Sequence, residues 1–147
     1  MIPRIGEPKL KGQKYTLRPG VYAILPKAGK LLLTTQFGPE TEVQLPGGGI
    51  DSGESSLQAL HREVLEETGW RIARPRRIGA FRRFVYMPEY DLWAEKLCTI
   101  YVAHPVRKIA PIQEVEHIAH WATPEAALAT LDNDGDWVLL HRYLSGL

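Results

Sequence analysis

Residues 46–70 run PGGGIDSGESSLQALHREVLEETGW: a glycine turn, a short polar stretch, then a segment free of Pro and Gly from Ser55 to Thr68. That segment consists of good helix formers, and Gly69 stands where a helix C-terminus favours a residue that tolerates positive φ. A helix over about 55–68 puts Glu63, Glu66 and Glu67 at i, i+3 and i+4, inside an arc of roughly 100°. Leu57, Leu60 and Val64 form a separate apolar stripe beside them that can anchor the helix in a core. One edge of the helix is then buried, and the edge next to it presents three carboxylates.

A free helix gains nothing from this arrangement. Like charges at these spacings repel by a few tenths of a kcal/mol per pair. The last turn also disfavours negative charge, by roughly 0.3–1 kcal/mol each. A hard divalent cation turns that cost into affinity, because clustered carboxylate oxygens are the ligands Mg²⁺ prefers. The plain alternative is a solvated acidic face, and the neighbouring residues argue against it. Pro46-Gly47-Gly48-Gly49 leads towards the helix, and glycine turns let backbone approach a ligand closely. The turn matches neither a P-loop nor a dinucleotide fingerprint. Glu54 lies at the helix start, where a carboxylate complements the dipole, and Arg62 can orient a carboxylate through a two-pronged pair.

Gly48, five residues, Glu54, seven residues, then Arg62-Glu63-Val64-Leu65-Glu66-Glu67-Thr68-Gly69-Trp70 resembles the Nudix box, the signature of a family of hydrolases. The one departure is Trp70, where the family more often has an aliphatic residue. The match covers about a sixth of the chain. The resemblance implies a mixed α/β (α+β) fold, an α/β/α sandwich with a mixed β-sheet between helices. It also implies hydrolysis of nucleoside diphosphates linked to another group, by attack of water on phosphorus. By the same resemblance Glu63, Glu66 and Glu67 bind Mg²⁺ or Mn²⁺ with help from a backbone carbonyl near Gly48. Glu54 and Arg62 hold the glycine turn, Gly47 to Gly49, against the helix, and Gly69 ends it. The family's general base varies. Glu66 or Glu67 can serve, or a carboxylate on a later loop, for which Glu116 is slightly preferred over Glu114.

Working outward, Val21–Leu25 and Leu31–Thr35 are short apolar runs around Pro26-Lys27-Ala28-Gly29-Lys30, which reads as a hairpin. Val43–Leu45 reads as a brief strand, and Pro46–Gly49 as a turn outside regular structure. Arg77–Met87 and Lys96–Val102 look like longer strands separated by Pro88 and Asp91. Thr123 and Pro124 open a helix reaching Leu131, and a last helix runs over about Asp136–Leu144. Residues 1–14 look like a loosely held arm on a single domain spanning 1–147.

The chain has 147 residues, 44% hydrophobic and 24% charged, with a net charge of +1. That size fits one core, and the charge gives no ground by itself for nucleic-acid or membrane binding. A long RNA is accordingly a less attractive partner than a small nucleotide, although an RNA 5′ end stays open. The lone cysteine, Cys98, cannot form an internal disulfide. Neither an apolar span nor a signal-peptide pattern is visible, so the expectation is a cytoplasmic protein. The resemblance leaves a homodimer open.

Weaker signals remain. Arg71, Arg74, Arg76, Arg77, Arg82 and Arg83 form a basic stretch. It is a solvated strand face or a contact for substrate phosphates, with Arg82, Arg83 and Tyr86 as the candidates. Phe81, Phe84, Tyr86, Tyr90 and Trp93 are explained mostly by core packing, with base stacking as the alternative. His117 and His120 make a weak zinc case. Asp132, Asp134 and Asp136 lack the order and the closing Glu of a calcium loop. Besides a pyrophosphohydrolase, two other readings are a nucleotide-sensing module without turnover and an interaction protein built on an acidic helix. The intact set of box glutamates favours the enzyme.

Overall fold

The computed structural model describes residues 1–113 and 116–146. In chain order the elements are β1 (Thr16–Ile24), β2 (Pro26–Lys27), β3 (Lys30–Gln36), β4 (Glu42–Gln44), β5 (Gly47–Gly49) and α1 (Ser56–Thr68). There follow β6 (Trp70–Met87), β7 (Leu92–Lys108), β8 (His117–Ala122), α2 (Pro124–Thr130) and α3 (Asp134–Leu144). One sheet has the order β5-β1-β7-β6, and β1 runs parallel to β7 while the other pairs are antiparallel. In the second sheet β3 pairs with β2, β4 and β8, all antiparallel.

Both faces of the strands are covered, which is what a sandwich with outer helices requires. Along β1, Val21 and Ala23 pack with Ala59, Leu60 and Val64 of α1. Tyr22 and Ile24 point the other way, into a cluster with Leu139 and Leu140 of α3 and Ala127 of α2. The same alternation divides Tyr101 and Ala103 from Ile100 and Val102 on β7, as the two-residue strand period dictates. The fold is thus mixed α+β with a mixed sheet between helices, as expected.

The acidic helix lies where its sequence places it. Ser55 caps it: the Gln58 N–H donates to the Ser55 hydroxyl, and the Ser55 N–H donates to the Gln58 side chain. This reciprocal pair satisfies two donors that the first turn leaves open. Gly69 ends it with φ 78° and its N–H on the Leu65 carbonyl. A Cβ at Gly69 would lie 2.0 Å from the Ala110 carbonyl oxygen, so no other residue fits without moving backbone. Ile109 and Ala110 donate to the Gly69 carbonyl and Gln113 to that of Glu66, which ties the helix end to the chain leaving β7.

Several expectations change. Gly47–Gly49 is a strand, not a turn: it pairs with Gly20–Tyr22 of β1. A Cβ on Gly47 would stand 2.1 Å from the Val21 carbonyl oxygen, so glycine is what lets the backbones come together. Leu57 is 45% exposed. The buried stripe is instead Ala59, Leu60 and Val64, and it continues into Glu67, 4% exposed. β6 and β7 form a longer ribbon than the apolar runs suggest, and β8 has no counterpart in the expected elements. The arm is fastened at Arg82, whose N–H donates to the Pro3 carbonyl and whose carbonyl accepts from the Ile5 N–H, while Ile5 packs on the core and Lys9 lies over the Phe84 ring. No helix among the described residues is long and apolar enough to cross a membrane.

Candidate active site

Strand β5 and helix α1 meet face to face, and Arg62 joins them. Its Nε and Nη2 donate to the two oxygens of Glu54 at 2.7 and 2.9 Å, and Nη2 also donates to the Gly49 carbonyl at 3.0 Å. Nη1 donates to Glu63 Oε1 at 2.8 Å and to Glu66 Oε2 at 3.3 Å. One guanidinium therefore links the helix start, the glycine strand and two of the three predicted ligands. Its hydrogen bonds hold the Glu54 carboxyl at about 2, helped by the Asp51 N–H. The Glu54 bonds in turn raise the Arg62 pKa further above its ordinary value.

Glu67 is turned differently. Its Oε1 accepts from the Gly47 N–H at 3.0 Å and its Oε2 lies 3.3 Å from His117 Nε2. Gly48 leaves room for Glu63: a Cβ there would come within 2.5 Å of the Glu63 carboxyl carbon and Oε2. Exposure grades the three carboxylates, with Glu67 at 5%, Glu63 at 14% and Glu66 at 27% of the side chain.

Among the described residues no three His, Cys, Asp or Glu side chains are gathered into a ready-made cation site. The donors nevertheless suit a hard divalent cation. All three are carboxylates, and Glu63 and Glu66 already converge on one cationic nitrogen, the chemistry that Mg²⁺ and Mn²⁺ take. The space that glycine leaves at position 48 puts the Glu63 oxygens directly against the β5 backbone.

The other predicted residues lie as follows. Glu116 is exposed, and its carbonyl accepts from the Phe37 N–H at 2.7 Å. Glu114 lies outside the described residues. Arg82 is engaged by the Ile2 carbonyl and Glu95, and Arg83 by Glu42. The Tyr86 hydroxyl donates to Asp91. Each of the three candidate substrate contacts thus has a partner within the fold, while Arg71, Arg74, Arg76 and Arg77 of the same stretch are exposed. His120 Nε2 bonds Thr35 Oγ1 while His117 meets Glu67. Three residues apart on a strand, the two histidines point to opposite faces, which removes the zinc reading.

Two features escape the sequence. His117 reaches Glu67, and nothing in its local sequence marks it for that. Asp132 and Asp136 clamp the strand entering the site: Asp132 Oδ2 accepts from Val43 N–H and Asp136 Oδ2 from Leu45 N–H. Burial pushes the Asp136 carboxyl up to about 7 and raises Tyr22 far above its ordinary value.

A family model described as NUDIX domain matches residues 14–143. A Helicobacter pylori (strain ATCC 700392 / 26695) protein named RNA pyrophosphohydrolase is 46% identical over 57 residues, 35% of this chain and 37% of that protein. A Bacillus subtilis (strain 168) protein named as a candidate 8-oxo-dGTP diphosphatase is 45% identical over 49 residues, 33% of each chain. The matched stretches thus span about a third of these curated relatives. Among solved structures, a NUDIX hydrolase from Nitrosomonas europaea superposes with a TM-score of 0.72 at 22% identity, covering 89% of this chain and 90% of that one. A MutT protein from Methanosarcina mazei Go1 gives 0.67 at 21% identity, with 92% and 98% covered. Both are likenesses of fold.

Proposed function

The chain belongs to the NUDIX domain family, and on that premise we propose that it is a metal-dependent pyrophosphohydrolase acting on a nucleoside diphosphate linked to a further group. The substrate class is a nucleoside triphosphate, ADP-ribose or another nucleotide sugar, or a dinucleoside polyphosphate. The observation that carries this reading is the Arg62 hub. It fixes Glu63 and Glu66 beside a strand whose Gly47 N–H fixes Glu67.

Glu63, Glu66 and Glu67, with a carbonyl of the Gly47–Gly49 strand, hold Mg²⁺ or Mn²⁺ in this reading. The chemistry such a cation supplies is neutralisation of the diphosphate charge and acidification of water. The chain's own residues do the rest. Glu66, the most exposed of the three, takes the proton of the attacking water. The new O–P bond forms as the bridging P–O bond breaks, and the electron pair leaves on the departing phosphate oxygen. Glu67 is committed to the Gly47 N–H and positions the strand. Arg62 orients Glu63 and Glu66 from behind. Glu116 stays the alternative proton acceptor outside the helix, beside His117. In this reading residues 1–147 work as one unit on a small nucleotide, in the cytoplasm.

The test is phosphate release from a panel of nucleoside diphosphate derivatives with Mg²⁺, with Mn²⁺ and with chelator. Cation-dependent cleavage of one class is expected. Folded protein that turns over nothing on the panel would leave a nucleotide sensor as the better account.

A further inference from the structure

Away from the carboxylates, the residue that departs from the family pattern, Trp70, lines an open cleft of about 330 Å³ with Trp121, Lys27, Ala28 and Lys30. The two indoles meet edge to face, with centroids 5.4 Å apart at 85°, and both are only partly buried. Their accessible parts border the cleft, where a further ring can pack against them. The Lys27 ammonium stands 5.9 Å from the Trp70 centroid, and Lys108 lies directly across the β6–β7 ladder from Trp70. No lining residue is acidic.

The scaffold around this cleft is not arranged for stability. Lys27 and Lys30 are direct cross-strand partners, and like charges facing each other in that way destabilise a hairpin. Between them Ala28 takes φ 51° and Gly29 φ 77°. That tight turn asks for Gly or Asn, and alanine is strained there. A pair of like-charged lysines, a strained turn and two partly exposed tryptophans coincide at one spot. A polyanion carrying flat rings would relieve the repulsion and cover the rings together.

We propose that the Trp70–Trp121 cleft binds an unpaired nucleobase of a single-stranded polynucleotide, with Lys27 and Lys30 on the flanking phosphates. Aromatic faces with cations beside them are the general recognition chemistry for single strands, because every base has a face to stack. β8 joins this cleft to the candidate active site. His117, against Glu67, and Trp121 share one face of the strand, roughly 13 Å apart at about 3.3 Å per residue. The assignment stands without the hydrolase reading, since it concerns binding alone.

The test is equilibrium binding of short labelled RNA and DNA single strands with 5′-hydroxyl ends, in chelator, to the full chain. No diphosphate and no divalent cation are present, so failure here and failure of the hydrolase reading are separate results. Binding by one or both strands is expected, and the two arms show which sugar is preferred. Trp121→Leu should weaken it about 10-fold. Lys27→Gln with Lys30→Gln, at an exposed turn that folds regardless, should flatten the dependence of log affinity on log salt by about 1.4. The same double variant should leave mononucleotide turnover unchanged. Absence of binding overturns the proposal. So does equal competition by inorganic polyphosphate, which has no rings, or by a mononucleotide, which has no chain. Binding indifferent to both sets of substitutions overturns it too.

Discussion

Arg62 grips both oxygens of Glu54, through Nε at 2.7 Å and Nη2 at 2.9 Å, and that grip carries the geometry of the carboxylates beyond it. Lysine offers a single ammonium and cannot reproduce the fork. Arg62→Lys is expected to lower turnover about 10- to 100-fold, the usual range for residues that orient a metal site's ligands. The cation concentration for half-maximal rate should rise in parallel. Assaying rate against Mg²⁺ checks this, and an unaltered titration would remove Arg62 from its positioning role.

The same pair makes stability depend on acid. The Glu54 carboxyl is held at about 2 against an ordinary 4.5, so the folded value is depressed. Its contribution is fully present above pH 4.5 and is lost as the pH falls towards 2. Thermal unfolding of the native protein and of Glu54→Gln should therefore differ most near neutrality and converge below about pH 3. Parallel curves across that range would contradict the assignment.

Glu66→Gln and Glu67→Gln are both expected to remove most turnover, about 100-fold or more, while the protein stays folded. They should differ in their dependence on the cation. Glu66→Gln should lower kcat at saturating cation, whereas Glu67→Gln, which also loses the carboxylate that accepts from the Gly47 N–H, should in addition raise the cation concentration for half-maximal rate. Near-native rates for both variants would remove the carboxylate mechanism.

Adjacent glycines should fail in different ways. A Cβ at Gly47 strikes backbone, 2.1 Å from the Val21 oxygen, and φ 152° is itself unfavourable for other residues. Gly47→Ala is expected to cost about 3 kcal/mol of stability. A Cβ at Gly48 meets the flexible end of Glu63, which can swing aside. Gly48→Ala should keep stability within about 1 kcal/mol and lose activity instead. Denaturant unfolding and turnover, measured on both, separate the two cases.

Asp136 carries the opposite acid dependence. Its folded value, about 7, lies above the ordinary 3.8 because burial disfavours the charge. The native protein is then penalised progressively as pH rises from about 4 to 7, by a few kcal/mol in order of magnitude. Asp136→Asn keeps an oxygen for the Leu45 N–H without the charge. It should match the native protein at pH 4 and exceed its melting temperature at pH 8. Equal melting at pH 8 would dismiss the buried-charge account.

Where the sequence is legible, local chemistry decides the outcome. Ser55, Gln58 and Gly69 delimit α1 by their own hydrogen bonds and backbone preference, and Thr123 and Pro124 do the same for α2. The 3.6-residue period alone puts Glu63, Glu66 and Glu67 on one face. The failures are all tertiary. β5 is a strand only because β1 lies alongside, and a run of glycines carries no strand signal of its own. Leu57 and Glu67 exchange their expected burial because sheet and helix meet at an angle that no helical wheel contains. His117 finds Glu67 through the pairing of β8 with β3, and Asp136 finds Leu45 through the packing of α3. The partners of Arg82 and Arg83, which are the arm with Glu95 and Glu42, likewise come from distant parts of the chain.

The parallel pairing of β1 with β7 sets an order of events. A parallel pair cannot be closed by a tight turn, and here the whole stretch from β2 to β6, α1 included, lies between the partners. As the chain is made from its N-terminus, the acidic helix and the glycine strand exist before the strand that closes their sheet. The Ile109, Ala110 and Gln113 amides that finish the helix end come later still. Assembly of the carboxylate site is therefore a late step of folding, coupled to long-range closure. In refolding, recovery of turnover should lag the gain of helical signal.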